Sequence, residues 1–244
     1  MMAAVLVGAS QPAAAQSAWE DRVFAGVSFG LEAGTQEASQ TRNFVVYGEN
    51  ASLVSNSSFD RNNIADLTLG VRVWKNFGVA AAYHTGTASG SADVSGSIPH
   101  PVFCDRPRNF TERAGGLDRK EHATHLQFGW MLPLGEKLDV FVYAGPSFYR
   151  ISQDVLADVN IGEQGFPFAN VVASPVLGLA KRNATGYNVG LDTSYMFYNG
   201  DAVRLGLGGF VRLTGAQATL RAGDTTIDTD LGGVQFGVGA RIRF

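Results

Sequence analysis

Two of the four histidines in this 244-residue chain lie close to acidic residues that precede them. His84 stands alone, and His122 and His125 follow Asp118 and Glu121. Imidazole and carboxylate are zinc-ligand types, so two histidines with Glu121 or Asp118 could hold a metal. A histidine beside a carboxylate is also the start of an acid/base site. If the segments around 84 and 125 are antiparallel neighbours, His84 and His125 face the same side. The pattern is weak, because a metal site needs a third or fourth ligand in fixed geometry. No separate serine or aspartate is convincingly placed to complete a catalytic triad. The expectation is no catalytic residue, no metal and no cofactor. His84 and His125 read as polar groups at a wet rim, with metal ligation as their weaker alternative.

Other reactive residues say less. Asp224, Asp228 and Asp230 have calcium-ligand chemistry, but without a bounding glutamate they read as solvated turn residues. Cys104 is the single cysteine, so no internal disulfide forms. More informative is a set of charges spread along the chain at alternating positions: Glu32, Asp66, Arg72, Asp192, Arg204, Arg212, Arg241 and Arg243. Each sits in a segment whose intervening residues are apolar.

Those segments are strands by their period of two. Leu67, Leu69, Val71 and Val73 alternate with Asp66, Thr68, Gly70 and Arg72. Val203, Leu205, Leu207, Val211 and Leu213 oppose Arg204, Gly206, Gly208 and Arg212. Similar splits occur at 187–197 and from Val234 to the C-terminus. Segments 23–33, 76–86, 123–132 and 138–150 fit less cleanly. In the last, Phe141 and Tyr143 lie on the face opposite Val140 and Val142. Eight strands of roughly membrane-crossing length result. Their connections alternate between short turns, such as Lys75-Asn76, and long loops, as in outer-membrane barrels. The expected fold is all-β, an eight-stranded antiparallel up-and-down transmembrane β-barrel over 23–244. Aromatic residues near the strand ends read as two interface girdles: Phe77, Trp130, Phe197, Tyr198 and Phe244 at one rim, Phe29, Tyr83, Phe148 and Tyr187 at the other. Residues 1–15, apolar and ending in Ala13-Ala14-Ala15, read as a truncated signal peptide, with 16–22 a periplasmic segment. The formal net charge of -3 argues against a nucleic-acid partner.

The last strand carries the specific signal. Phe236, Val238, Ala240, Ile242 and terminal Phe244 are apolar at alternate positions. This resembles the C-terminal signal of outer-membrane proteins that the barrel-assembly machinery reads. With Tyr187-Asn188-Val189-Gly190-Leu191-Asp192, the chain resembles the small OmpA/OmpX-like outer-membrane β-barrel superfamily. The resemblance implies a bacterial outer-membrane location, periplasmic termini, extracellular long loops, and lipid and the assembly machinery as partners. The leading expectation is a monomeric, non-enzymatic barrel with a structural or surface-interaction role. An interior this narrow fills with side chains, so the eight alternating charges should plug it as ion pairs. The loop ligand stays unnamed. Three alternatives stand: a narrow ion channel, a lipid hydrolase using the rim histidines, and a soluble lipocalin-like carrier. The carrier would turn the apolar face inward, which alternation alone does not decide.

Overall fold

The computed structural model describes residues 20–33, 36–222 and 225–244. The expected signal peptide, residues 16–19 and Asp224 lie outside the described residues. Eleven strands form: β1 (Val23–Ala33), β2 (Gln36–Val46), β3 (Glu49–Phe59), β4 (Asn62–Trp74), β5 (Phe77–Ile98), β6 (Arg108–Pro133), β7 (Leu138–Glu163), β8 (Val171–Asn199), β9 (Arg204–Ala222), β10 (Thr225–Leu231) and β11 (Val234–Arg243). β1, β4, β5, β6, β7, β8, β9 and β11 each pair antiparallel with the next, and β11 pairs back onto β1. The ring is closed, so this is an eight-stranded up-and-down β-barrel. Closure removes the sheet edges that would leave backbone groups unpaired.

The first described residues, the C-terminal Phe244 and the short turns gather at one mouth. Phe244 N donates to Val23 O at 2.9 Å, and Arg22 N donates to Phe244 O at 2.6 Å, so the terminal residue fastens the β1–β11 seam. Beside that seam, Arg72 N donates to Arg22 O at 2.8 Å. Glycine permits the tight strand approach here. A Cβ on Gly239 would stand 1.8 Å from Val27 O, and one on Gly30 would stand 2.0 Å from Phe236 O.

At the other mouth the expected long loops are mostly strand. β5 to β8 run far beyond the predicted segments, the β2–β3 hairpin pairs onto β5, and β10 pairs with β9. Only 99–107 and 164–170 are irregular at the tips of the β5–β6 and β7–β8 hairpins. The sequence conceals these extensions because serine, threonine and alanine replace the strong apolar/charged contrast of the lower strands.

The extension reverses the polarity of the barrel. In the lower part large apolar residues point outward: Leu67, Leu69, Leu207, Val211 and Phe236 are exposed, Val238 by 71%. β5 shows the switch. Its outward row runs Val79, Ala81, Tyr83 and then Thr85, Thr87, Ser89, while its inward row ends with Ala92, Val94 and Ile98, all fully buried. Inside the extension, Leu53, Val94, Ile98, Phe110 and Leu156 pack together, and Ile151, Val155, Leu220 and Ile227 form a second cluster. The upper part is thus an apolar-cored collar standing on an inside-polar ring. The ambiguous faces of β7 resolve with Phe141 and Tyr143 inside, packed with Phe24 and Met131.

Candidate functional site

Inward side chains of the lower ring build a stack of polar layers. At the mouth holding Phe244 and the short turns, Arg243 meets Asp139 at 3.0 Å, and Arg204 meets Asp21 at 2.8 Å, each cation also lying 3.8 Å from the other's carboxylate. Above them Arg241 grips Asp192 through two bonds, Nε to Oδ1 at 3.0 Å and Nη2 to Oδ2 at 2.6 Å, and donates to Ser28. Next comes Arg212, only 1% exposed, which donates to Asp66 at 2.8 Å and to Gln235 at 2.8 Å. Gln235 passes the chain on to Glu32 Oε2 at 2.5 Å. β1, β4, β7, β8, β9 and β11 supply these groups, with Asp21 just before β1, and the register fixes their heights. A cavity of about 20 Å³ lies between Asp66, Asp192, Arg212 and Arg241, room for about one water molecule.

The histidines occupy the next layer, fully buried. His84 on β5 and His125 on β6 are joined from Nδ1 to Nε2 at 2.8 Å with rings nearly parallel. His125 Nδ1 bonds Ser147 Oγ on β7 at 2.7 Å, and Asn188 on β8 donates to the same oxygen at 3.1 Å. On the other side His84 Nε2 faces Glu121 Oε1 at 3.9 Å. Arg119 donates to the second oxygen of Glu121 at 3.2 Å and to Gln153 at 3.0 Å. Ligand atoms of Glu32, His84 and Glu121 all lie within 4.8 Å of one another, the separation a metal ion could bridge.

In the collar, Arg108 on β6 ties the two hairpin tips together. It forms a fork on Glu163 of β7, with Nη2 to Oε1 at 2.7 Å and a second bond from Nη1 to Oε2. It also donates to Pro99 O at 2.8 Å and to Phe168 O at 2.9 Å. These bonds from Arg108 hold the Glu163 carboxyl below the usual carboxylate range, and Tyr47 adds a further donor at 3.0 Å. Outside, just above Tyr83 and Phe148, a cleft of about 1100 Å³ carries Lys120, Arg150, Lys181 and Arg182.

The structure brings Glu32, Asp66 and Arg212 into one network and Asp192 and Arg241 into another, with Arg204 and Arg243 sharing a third. Arg72 is half-buried at the mouth. Phe236, Val238, Ala240, Ile242 and Phe244 all point outward. His84 and His125 sit within their strands rather than at a strand end. Asp118 is exposed and belongs to no part of the histidine layer, whereas Glu121 does. His122 faces outward and pairs with Tyr83 at 3.0 Å. Asp228 lies on β10 and accepts from Thr219 at 2.7 Å rather than in a solvated turn. Sequence reasoning missed Asp21, Asp139, Arg119, Ser147 and the Arg108–Glu163 clamp. Ser147 could have been found as the inward residue of β7 opposite His125 in the β6–β7 register.

No family model matches the chain, and no curated protein does. Among solved structures it is similar to the Neisserial surface protein A, at 11% identity over 91% of this chain and 97% of that one, TM-score 0.44. The outer membrane protein OprG of Pseudomonas aeruginosa matches at 10% identity over 92% and 96%, TM-score 0.48. The outer membrane protease OmpT of Escherichia coli matches at 11% over 93% and 98%, TM-score 0.44.

Proposed function

We propose that the chain is a bacterial outer-membrane β-barrel whose lumen is plugged by its own charges and whose collar serves as a stiff extracellular platform for surface contacts. The observation that carries this reading is the reversal of polarity along the strands. A soluble barrel hides its apolar face, but here the lower ring exposes it and buries arginine. A lipid surround makes that arrangement favourable. Tyr187 and Phe197, both exposed on β8, stand ten residues apart, which at about 3.3 Å per residue and about 40° of tilt gives an apolar belt about 25 Å tall. The mouth that holds Phe244 and the short turns then faces the periplasm and the collar faces outward. The basic cleft above Tyr83 suits the anionic groups of the outer surface. Burial supports the plug over a channel, since the charges of these layers are paired and the void among Asp66, Asp192, Arg212 and Arg241 has room for about one water. Complete burial of Ser147 and His125 likewise supports a non-enzymatic role, because a substrate acyl group has no approach to the hydroxyl.

The test is conductance of the barrel refolded in detergent and placed in a planar bilayer, after a boiled-versus-unboiled gel shift establishes folding. A shifted, silent barrel is the expected outcome. Reproducible unitary steps would replace the plug by a water path. A chain that stays folded and soluble without detergent would overturn the membrane reading itself.

A further inference from the structure

We propose that the lumen holds a divalent transition-metal ion of the zinc class between Glu32, His84 and Glu121. The three come from β1, β5 and β6, so the ion would fasten strands on both sides of β4 across the barrel interior. Two buried atoms argue for a missing partner. His84 Nε2 and Glu121 Oε1 are both inaccessible and without a hydrogen-bond partner, yet they face each other at 3.9 Å. A buried polar atom left unmatched is costly, and two such atoms aimed at one point suit a shared third body.

Charge points the same way. Arg212 is matched by Asp66 at 2.8 Å, and Arg119 by Glu121 at 3.2 Å. Glu32 is held by two amides, Gln36 at 3.0 Å and Gln235 at 2.5 Å, and no cation lies within ion-pair distance of it among the described residues. Arg119 and Arg212 act on Glu32 only from beyond ion-pair distance, so two close carboxylates share one direct guanidinium partner, an arrangement that favours a cation. The surroundings also orient the ligands. Arg119 and the two amides leave a lone pair on each carboxylate free. With Nε2 ligated, His84 donates from Nδ1 to His125 Nε2, and His125 donates onward to Ser147, the outer hydrogen bonding that metal-bound histidines require. One imidazole and two carboxylates select zinc, cobalt or manganese over calcium, which takes oxygen ligands. Tetrahedral zinc separates its ligand atoms by about 3.3 Å, so His84 and Glu121 need to close by only about half an ångström.

The site is buried, so the ion is loaded during folding. The untagged chain is refolded in detergent with zinc or with a chelator, passed through gel filtration, and its metal content measured. The expected result is about one zinc per folded wild-type chain, with uptake lowered at least about tenfold in His84→Ala and in Glu121→Gln. His100→Ala and His122→Ala, which alter residues outside this layer, should leave uptake unchanged. Refolding with cobalt gives a second readout that needs no variant, intense visible absorption from a site of low coordination number. Folded wild-type chain that holds no zinc above the chelator-treated sample, or cobalt that shows no such absorption, overturns the proposal. Neither result depends on whether the barrel conducts.

Discussion

Arg212 shows what a single residue does in this interior. Its guanidinium is sandwiched between Asp66 and Gln235, lies 5.0 Å from the Phe210 ring, and reaches no solvent. The desolvation cost of such a pair is large and its attraction roughly offsets it, so the pair adds little as a pair but a great deal as protection of each partner. Arg212→Ala leaves Asp66 buried without its cation and should cost about 3–5 kcal/mol in urea unfolding from vesicles. The double change Asp66→Asn with Arg212→Met removes both charges and should cost clearly less than Arg212→Ala alone. Equal losses would mean that volume, not charge, fills the layer. The sequence revealed that Arg212 and Asp66 face inward, because period-two alternation needs only their own strands. It did not reveal that they meet, because β4 and β9 are not neighbours in the ring and the contact depends on the stagger summed around it. Arg119 and Glu121 were hidden for a different reason, since their stretch of β6 is charged on both faces, whereas Ser147 stands directly opposite His125 on the neighbouring strand.

At the scale of elements, the collar depends on hairpins whose tips would otherwise move independently. Arg108 joins β6 to the 99 carbonyl, to the 168 carbonyl and to Glu163 at the end of β7. Since the folded Glu163 carboxyl titrates below its unfolded value of about 4.3, the clamp contributes fully above that value. Its contribution is lost as pH falls through the folded value. Proteolysis, or amide exchange corrected for its intrinsic pH dependence, at 99–107 and 164–170 should therefore be slow and flat near neutral pH and should rise in acid below about pH 4. Arg108→Ala should bring the fast behaviour to neutral pH while leaving the heat-modifiable barrel intact. An Arg108→Ala chain as protected as wild type would show that the tips are held by Phe110 and its neighbours instead. The lower strands of this architecture were legible because leucine and valine alternate there with glycine and arginine. The upper strands were not, because residues such as Ser89, Ser91, Ser95 and Ser97 give no contrast with a loop, and only pairing with β3 and β6 makes them strand.

Taken as one body, the molecule on the proposed reading has two solvents. Outward apolar residues of the lower ring and core-facing residues of the collar come from the same strands, and the change occurs within a few residues of Tyr83 on β5 and Phe148 on β7. The halves therefore have opposite tolerances. Val211 lies outward at mid-belt, paired with Leu191 and Phe236, which are themselves exposed. Val211→Arg should cost about 2–4 kcal/mol when the barrel folds into vesicles, the depth-dependent cost of a cation at the bilayer midplane. Thr87→Arg, also outward but on the collar side of Tyr83, faces water and should fall within about 0.5 kcal/mol of wild type. Reversing the sense, Val94→Arg inside the collar should be severe, because its site is fully buried among Leu53, Ile98 and Phe110 without an acidic partner in that cluster. Folding free energies in vesicles and in short-chain detergent separate the causes. The Val211 cost should shrink when a micelle can deform around the charge, whereas the Val94 cost should not. If Val211→Arg and Thr87→Arg proved equally mild in vesicles, the belt would not lie in lipid, and the polarity of the lower ring would need another partner to cover it.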